Sequence, residues 1–325
     1  MTARAAATAG PTPNVFVVGA PKSGTTALAT YLGDHPEVFV AAKELSYFGT
    51  DLGFLTARGE PWHISYRSYL GWFEDHAAER CRVDRSVFYL YSSRAAEEIR
   101  AFDADSRVIA LLRDPVDQMH AQHAEMLYQG DEDIADFGAA LDAEEDRRQG
   151  RRVPPGCRKP FALHYRDIAS YAPQIERYLS CFGRDRMCVV LYDDLVRDVA
   201  GTYRRVLEFL DVDPGHTPHF DVVNANKEVR SARARDLLRQ APAGWRRLGR
   251  VMVPNEFARA ALRRRVHALN TRRRPRPVLD PGLRRRLRDE LAPDVRRLEG
   301  LLDRDLSSWL PSEARAAPAP ADRRR

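Results

Sequence analysis

The chain has 325 residues, which is long for one hydrophobic core but common for a single α/β domain with appended helices. Hydrophobic residues make up 44% and charged residues 30%, which excludes a fibrous or wholly disordered chain and predicts a globular protein that folds alone. The formal net charge of +6 permits a nucleic acid, an anionic surface or a polyanionic nucleotide as partner.

The distribution of basic residues narrows that choice. Much of the arginine excess lies beyond Lys227, where arginines recur beside acids, as in residues 284–290. Such mixing is typical of solvated helix faces, and the chain has neither an RNA-binding signature nor zinc-finger spacing. We therefore predict no nucleic-acid partner, and the sequence leaves the oligomeric state open.

Cysteine usage and apolar runs bear on the location of the protein. The four cysteines form no CxxC pair and are too few for a disulfide scaffold. The first 14 residues hold no apolar stretch of signal-peptide length, and no run of about 18 apolar residues occurs in the sequence. We expect a cytoplasmic protein that is neither secreted nor inserted in a membrane.

The predicted elements begin with a βα unit. Residues 1–13 are rich in Ala, Thr and Pro and are expected to form a disordered tail, as are residues 312–325. Val15–Gly19 is a short apolar run that predicts a buried strand, and Thr25–Asp34 repeats leucine at helical spacing. Residues 14–311 are predicted to form one domain.

Strand and helix patterns alternate along the rest of this domain. We predict further strands at Arg82–Asp84, Arg107–Leu112 and Met187–Tyr192. The predicted helices cover Ser92–Phe102, Val116–Tyr128, Ile134–Gln149, Tyr165–Phe182 and Tyr203–Leu210. The pattern of residues 231–311 is also helical, with breaks at Pro254 and 274–281. This alternation predicts an α/β fold, a parallel sheet flanked by helices, with a helical C-terminal region.

A loop suited to binding phosphate follows the first strand. Gly19 and Gly24 allow backbone conformations that a side chain would block, so that successive N–H groups can face one anion. The helix that begins near Thr25 adds N–H groups and a partial positive charge, and Lys22 adds a full charge. The predicted nucleotide-binding residues of this loop are Pro21, Lys22, Ser23, Gly24, Thr25 and Thr26.

The loop is P-loop-like but is not a Walker A motif. That motif places lysine directly after the second glycine and a magnesium-binding Ser or Thr after the lysine. Here Lys22 precedes Gly24 by two positions, and Thr25 occupies the place of the lysine. A P-loop kinase or nucleotide triphosphatase stays open as an alternative, and no metal site is predicted.

Four motifs resemble, in order, those of sulfotransferases that use 3′-phosphoadenosine-5′-phosphosulfate (PAPS). Pro21–Thr26 resembles the 5′-phosphosulfate loop, and Lys43–Phe48 is similar to the KExxxF segment of the heparan-type branch. Arg107–Pro115 resembles the 3′-phosphate strand, and Asp305–Leu310 resembles the C-terminal ending. The resemblance spans nearly the whole chain and implies an enzyme that passes a sulfuryl group from PAPS to an acceptor.

Sulfuryl transfer needs a proton acceptor and groups that stabilise charge on the leaving 5′-phosphate. Lys22 is the candidate for charge stabilisation, and the resemblance implies the same role. Glu44 is the candidate general base, because a carboxylate in hydrogen-bond reach can take the proton of the acceptor, and the resemblance places the base here. From the residues alone, Glu44 is equally open to being a surface acid paired with Lys43. Lys43 is a candidate to tune the pKa of Glu44 or to contact the acceptor.

Arg113 is the candidate ligand of the 3′-phosphate. It follows an apolar strand and so emerges where ligands of open α/β sheets bind, and its guanidinium suits bidentate phosphate contact. The alternative is an ion pair with Asp114 or another nearby acid. The serine that usually follows this arginine by eight positions is Ala121, which leaves open a catalytically impaired, polyanion-binding relative. His120 and Gln122 are candidates to supply the missing contact.

Three further candidates rest on shorter patterns. Arg230 lies in a stretch similar to an NxxxxxRS segment of the family and is a candidate 3′-phosphate ligand, although a capped basic loop would look the same. Arg85 would place positive charge near the acceptor, but Val87 replaces the proline that relatives carry two positions later. His123 is a candidate to face the acceptor, whereas a lone helical histidine is more often packed or solvated.

The acceptor is not defined by any motif in the sequence. The heparan-type resemblance implies a hydroxyl or amine on a carbohydrate, a glycolipid or a natural product. Candidate acceptor loops are Leu52–Trp62 and Arg151–Lys159. The basic residues of the second loop could meet an anionic acceptor or form a mobile basic loop.

Overall fold

A five-stranded parallel sheet forms the centre of the computed structural model, which describes residues 10–56, 60–220, 227–229, 271–273 and 277–311. The strands are β1 Val15–Gly19, β2 Val38–Val40, β3 Cys81–Arg85, β4 Arg107–Leu112 and β5 Met187–Leu191. Their order across the sheet is β2-β3-β1-β4-β5, and every neighbouring pair is parallel. The predicted α/β class is confirmed, with β1 at the centre.

Helices surround this sheet. They are α1 Thr25–Leu32, α2 Tyr66–Leu70, α3 Ala95–Phe102, α4 Pro115–Gln129, α5 Phe137–Asp142, α6 Glu144–Arg148, α7 Tyr165–Ala169, α8 Tyr171–Phe182, α9 Tyr192–Arg197, α10 Val199–Leu210 and α11 Pro281–Leu302. Short 3₁₀ helices cover Pro160–Leu163 and Ser307–Trp309. Two short strands, β6 Lys227–Val229 and β7 Thr271–Arg273, form a separate antiparallel pair.

Both faces of the sheet are buried, as the apolar strand sequences require. Alternate residues of β1 belong to different clusters: Phe16 and Val18 pack with α3, α8 and α11, whereas Val15 and Val17 pack with α1 and α10. Side chains that alternate between two covered faces give strands that are apolar throughout. Among the described residues, no helix is long and apolar enough to cross a membrane.

Two predicted helices differ in the structure. The predicted helix Tyr165–Phe182 is divided at Ser170, because Asp294 of α11 accepts the N–H groups of Tyr171 and Ala172 and so starts a new helix there. The predicted helix Ile134–Gln149 starts later, at Phe137, and is divided into α5 and α6. Strand β2 was not predicted.

The C-terminal helix α11 is fastened to the start of α4. Leu287, Leu291 and Val295 are buried along one side of α11. At the same end, Arg288 pairs with Asp114 at 2.8 Å, and Arg284 pairs with Asp117 at 2.6 Å. Part of the arginine-rich C-terminal region therefore holds α11 to the element that follows β4.

Most residues of the two predicted disordered tails lie outside the described residues. Residues 1–9 and 312–325 lie outside the described residues. Pro13 is buried, and Arg82 Nε donates to the Thr12 carbonyl at 2.6 Å. The packed chain therefore starts within the last residues of the predicted N-terminal tail.

A buried ion pair gives a stability prediction. The side chains of Glu132 and Arg147 are both fully buried and joined at 2.6 Å, and the Tyr165 hydroxyl donates to Glu132 at 2.7 Å. Arg147→Ala is expected to lower the free energy of unfolding by about 3 to 5 kcal/mol, because it strands a buried charge. Denaturant titration measures this loss.

The exposed pair Arg204–Glu208, at 3.2 Å, supplies the control. Arg204→Ala is expected to change the free energy of unfolding by at most about 1 kcal/mol. Equal losses in the two variants would contradict a special role for the buried pair.

Candidate active site

The loop between β1 and α1 has the backbone geometry of an anion cradle. Gly24, the residue before α1, has φ +92°, and Lys22 has φ +63°. No side chain caps the N-terminus of α1, so its first N–H groups face outward without a side-chain acceptor. A Cβ at Gly24 would lie 3.2 Å from the Tyr192 ring, so glycine also allows close packing there.

The hydroxyl groups of this loop are placed differently from one another. Ser23 is fully buried and Thr25 nearly so, while Thr26 is partly exposed. The Ser23 hydroxyl lies beside the Tyr171 hydroxyl, yet neither makes a well-formed hydrogen bond within the described part of the chain. A polar atom left buried in this way suits a loop built to receive a polar ligand.

Lys22 is held by a carboxylate that sequence analysis missed. Its ammonium lies 2.9 Å from Glu125 Oε2, and both side chains are partly exposed. Burial would raise the pKa of Glu125, but the charge and hydrogen bond of Lys22, with a hydrogen bond from Gln129, hold that pKa below its ordinary value. Glu125 is therefore the anionic partner of Lys22 in the described chain.

Arg113 emerges from β4 directly beside the loop. Its Nη1 donates to the Lys22 carbonyl at 3.3 Å, and its guanidinium lies 4.6 Å from the centre of the Tyr192 ring. Among the described residues it has no carboxylate partner. The alternative ion pair with Asp114 is not formed, because Asp114 caps α4 and pairs with Arg288.

Helix α4 presents its inner face to the loop. Gln118 Nε2 donates to the Pro21 carbonyl at 3.1 Å, and Glu125, two turns later, reaches Lys22. Ala121 lies between them and is buried. Gln122 does not replace the expected serine, since it is buried and donates to the Ala162 carbonyl at 3.4 Å. The other candidate, His120, has its ring against Phe137.

Glu44 lies on the loop after β2 and engages no partner. Its carboxylate makes no hydrogen bond or ion pair among the described residues, and solvent partly reaches it. The alternative pair with Lys43 is absent, because the Lys43 ammonium lies 4.8 Å from the centre of the Trp72 ring. Burial raises the pKa of the Glu44 carboxyl, an effect that nearby cations only partly offset. Those cations are, in order of effect, Lys159, Arg85 and Lys22.

Arg85 contacts the backbone of the Glu44 loop. Its Nε donates to the Ala41 carbonyl at 3.3 Å and its Nη2 to the Ala42 carbonyl at 3.0 Å. The turn after β3 forms without the usual proline, since Tyr89 N–H donates to the Ser86 carbonyl at 3.0 Å. Arg85 thus brings positive charge near Glu44 while it fixes the residues before it.

The two candidate acceptor loops meet. Leu55 N–H donates to the Arg158 carbonyl at 2.8 Å, which joins loop Leu52–Trp62 to loop Arg151–Lys159. Arg151 and Arg152 pair with Asp146, and Arg158 lies 4.0 Å from Asp131. Lys159 differs: its ammonium lies 5.4 Å from the centre of the Phe88 ring, with no acid paired to it in the described chain. It is also the cation that lowers the pKa of Glu44 most.

Of the remaining predicted site residues, one packs in the core and the other lies outside the described residues. His123 is buried, its ring packs against Phe137 and Tyr165, and its Nε2 lies 2.9 Å from the Ile134 carbonyl. It therefore belongs to the core and does not face the acceptor. Arg230 lies outside the described residues.

Residues that sequence analysis missed share one signal. Gln118 and Glu125 are seven apart on the helix that follows Arg113, so a helical projection puts both on the face of Ala121. No described group of three His, Cys, Asp or Glu side chains is arranged to hold a metal ion. The residues brought together here are the cations Lys22 and Arg113, the hydroxyls of Ser23 and Thr25, and the carboxylate of Glu44.

The Lys22–Glu125 pair generates a binding prediction. Glu125→Gln is expected to tighten the binding of adenosine 3′,5′-bisphosphate about three- to tenfold, because it removes an anion that competes for Lys22. Isothermal titration calorimetry measures the dissociation constant. Glu208→Gln, an exposed carboxylate on α10, is the control and should leave the constant unchanged. Unchanged affinity in Glu125→Gln would show that this pair does not compete with ligand.

Comparison with known proteins gives the family. Residues 12–226, more than half of the chain, match the family model described as a sulfotransferase domain. Heparan sulfate glucosamine 3-O-sulfotransferase 3B1 of Mus musculus is 26% identical over 202 residues, which are 61% of this chain and 46% of that protein. The chain thus spans about half the length of the first curated relatives it matches.

A second curated relative and a solved structure are also similar to this chain. The bifunctional heparan sulfate N-deacetylase/N-sulfotransferase 4 of Mus musculus is 25% identical over 217 residues, 66% of this chain and 23% of that protein. The crystal structure of a sulfotransferase from Alicyclobacillus acidocaldarius matches with a TM-score of 0.68 and 25% identity, covering 92% of this chain and 99% of that one. The chain belongs to the sulfotransferase family.

Proposed function

We propose that this protein transfers a sulfuryl group from PAPS to a hydroxyl or amine of an acceptor. The observation that carries the proposal is the arrangement of Lys22, Arg113 and Glu44: two cations flank an uncapped helix start, and a free carboxylate lies within electrostatic range. Cations and N–H groups bind phosphates, and a free carboxylate with a raised pKa suits a base.

The donor site is proposed from residues of the loop and of β4. Lys22 and the N–H groups at the start of α1 would bind the 5′-phosphosulfate, assisted by the hydroxyls of Ser23 and Thr25. Arg113, free of acids and packed on Tyr192, would bind the 3′-phosphate. Arg230 is retained as a proposed ligand of that phosphate on the resemblance alone. No metal ion is proposed.

Each catalytic side chain has a separate task. PAPS supplies the sulfuryl group, whose bond to the bridging oxygen breaks with its electron pair left on the 5′-phosphate as the acceptor atom bonds to sulfur. Lys22, released from Glu125, stabilises that negative charge. Glu44 takes the proton that the acceptor O–H or N–H gives up. Because its pKa is raised, Glu44 is a stronger base than an exposed glutamate.

A carbohydrate is the acceptor class we propose. The matched relatives are named as heparan sulfate enzymes, although a glycolipid or natural product with a similar hydroxyl would present the same group. Lys43, Arg85 and Lys159 border Glu44 and carry no acid partner in the described chain, so they favour an acceptor that bears negative charge near its reacting atom.

The alternatives differ in their ligands. A P-loop kinase would bind ATP with magnesium through a lysine after the second glycine, whereas Lys22 lies before Gly24 and reaches Glu125. An impaired polyanion-binding relative would keep the cations but lose donor binding through Ala121. These differences make nucleotide binding the discriminating measurement.

Nucleotide binding tests the proposal directly. Adenosine 3′,5′-bisphosphate, the expected product, should raise the melting temperature, and a concentration of about 100 times its dissociation constant adds roughly 2.7 kcal/mol of stability. Arg113→Ala should weaken binding about 10- to 100-fold, since a hydrogen bond to a charged group is worth about 1.5 to 3 kcal/mol, and Arg113→Lys should lose less.

The other outcomes are equally definite. Stabilisation by ATP or ADP with magnesium, and not by the bisphosphate, would favour a kinase. No response to any of the three nucleotides would favour the impaired relative. Either result would contradict the proposed donor site.

The pH dependence of turnover tests Glu44. Turnover is measured as transfer of labelled sulfate from PAPS to heparan sulfate, and as release to water when no acceptor is added. Glu44→Gln is expected to lower it by about two to four orders of magnitude. In the wild type, the base is active only when ionised, so activity should fall as the pH drops through the raised pKa of Glu44, above the ordinary 4.5.

Lys159→Met should move the loss of activity on the acid side to higher pH. Lys159 lowers the pKa of Glu44 more than any other charge does, so its removal raises that pKa further. Lys43→Met is the matched control, because Lys43 is not among the charges that dominate that pKa, and the acid-side loss of activity should move less in this variant.

Near wild-type turnover in Glu44→Gln would remove this residue from the mechanism.

A further inference from the structure

Asp84, at the end of β3, is a fully buried carboxylate surrounded by hydroxyl groups. Its Oδ1 accepts the Ser86 hydroxyl at 2.8 Å, and its Oδ2 accepts the Tyr69 and Tyr89 hydroxyls at 2.9 Å each. No cationic side chain pairs with it in the described chain. Burial raises the pKa of Asp84 to about 6, although the three hydroxyls lower it. An ion pair therefore does not account for this carboxylate.

Two of these hydroxyls also contact the loop that carries Glu44. Ser86 Oγ accepts two backbone N–H groups at 3.2 and 3.0 Å, and the Tyr89 hydroxyl accepts the next two at 2.9 and 3.2 Å. The four N–H groups are those of Leu45, Ser46, Tyr47 and Phe48. They are the four residues directly after Glu44.

The direction of these hydrogen bonds depends on Asp84. An ionised carboxylate only accepts, so each hydroxyl must give its proton to Asp84, and its two lone pairs are left for two N–H groups. Each hydroxyl proton then has an acceptor on Asp84, and the oxygens of Ser86 and Tyr89 each accept two N–H groups. The loop needs such restraint, because Ser46 has φ +48°, a conformation that a side chain disfavours.

The residues before Glu44 are fixed from the same strand end. Arg85, next to Asp84, donates to the carbonyls of Ala41 and Ala42. The consecutive residues Asp84, Arg85 and Ser86 thus hold the loop on both sides of Glu44.

We propose that Asp84 is a positioning residue for sulfuryl transfer, which fixes the Glu44 carboxylate through Ser86 and Tyr89. The inference rests on the proposed role of Glu44 as base. A shift of about 1 Å in a reacting group can cost about 100-fold in rate, so restraint of this loop bears directly on turnover.

Asparagine cannot take over this role. In Asp84→Asn, the amide nitrogen becomes a donor that faces either Ser86 or the two tyrosine hydroxyls. A hydroxyl that receives this donor loses one of its two acceptor sites for the loop. Since this variant also alters a buried charge, a gentler pair of variants is needed to separate positioning from folding.

Tyr89→Phe and Tyr69→Phe form that pair. Both tyrosines are buried, and both hydroxyls donate to Asp84 Oδ2 at 2.9 Å. Only the Tyr89 hydroxyl also accepts N–H groups of the loop. Phenylalanine keeps the ring contacts, including the stacking of Tyr69 on Tyr47 at 4.3 Å. A merely structural role predicts similar effects of the two changes.

The positioning role predicts a difference between them. Tyr89→Phe should lower turnover about 10- to 100-fold, with a several-fold smaller loss in Tyr69→Phe. Both should keep wild-type affinity for adenosine 3′,5′-bisphosphate, which binds away from this loop. In ¹³C NMR of labelled glutamate, assigned with Glu44→Gln, Tyr89→Phe should lower the pKa of Glu44 as water enters, while Tyr69→Phe leaves that pKa unchanged.

The outcomes separate this inference from the proposed function. Equal effects of the two variants on turnover and on the pKa of Glu44 would overturn the positioning role, even if Glu44→Gln abolishes turnover. Full turnover in Glu44→Gln would instead refute the proposed base. Loss of bisphosphate binding in Tyr89→Phe would point to general damage and also overturn the positioning role.

Discussion

The close approach of β1 to the turn after β3 is the constraint on which the candidate site depends. A Cβ at Gly19 would lie 2.5 Å from the Val87 carbonyl oxygen and 2.9 Å from Leu90 Cβ, so only glycine allows this contact. Leu90 N–H also donates to the Val18 carbonyl at 2.7 Å. The phosphate loop continues from Gly19, and the same turn carries the hydroxyls that hold the Glu44 loop. One contact therefore sets the two halves of the site against each other.

Two carboxylates near Lys22 differ in their electrostatic surroundings. Glu44 and Glu125 lie in range of the same cations, yet their pKa values move in opposite directions: burial raises the first, and the direct hydrogen bond of Lys22 helps to lower the second. Two carboxylates whose environments separate their pKa values take different roles. The lowered pKa favours the ionised form of Glu125 beside Lys22, and the raised pKa makes Glu44 the more basic of the two carboxylates.

Local patterns made part of this arrangement predictable. The apolar runs of β1 and β4 and the glycines of the loop after β1 are local signals, and they predicted the fold class, Lys22 and Arg113. Glu44 was predicted as a base from the family resemblance. Contacts between residues far apart in the sequence could not be predicted from local patterns. The break before α8 depends on Asp294, more than a hundred positions away, and the role of Arg85 depends on carbonyls of another strand's loop. Sequence analysis left His123 open between the acceptor site and the core, because nothing local distinguishes a packed histidine from one that faces an acceptor.

Ala121 stands where relatives usually carry a serine, and the contacts around this position limit the effect of that change on the structure. Gln118 and Glu125, one turn on either side, make polar contacts from α4 to the loop between β1 and α1, through the Pro21 carbonyl and the Lys22 ammonium. The conformation of the loop thus does not depend on the side chain at 121. In the proposed donor site, a serine at position 121 would add a hydroxyl contact to the ligand. We expect its absence to lower donor affinity without displacing Lys22 or Arg113, because their contacts do not involve residue 121.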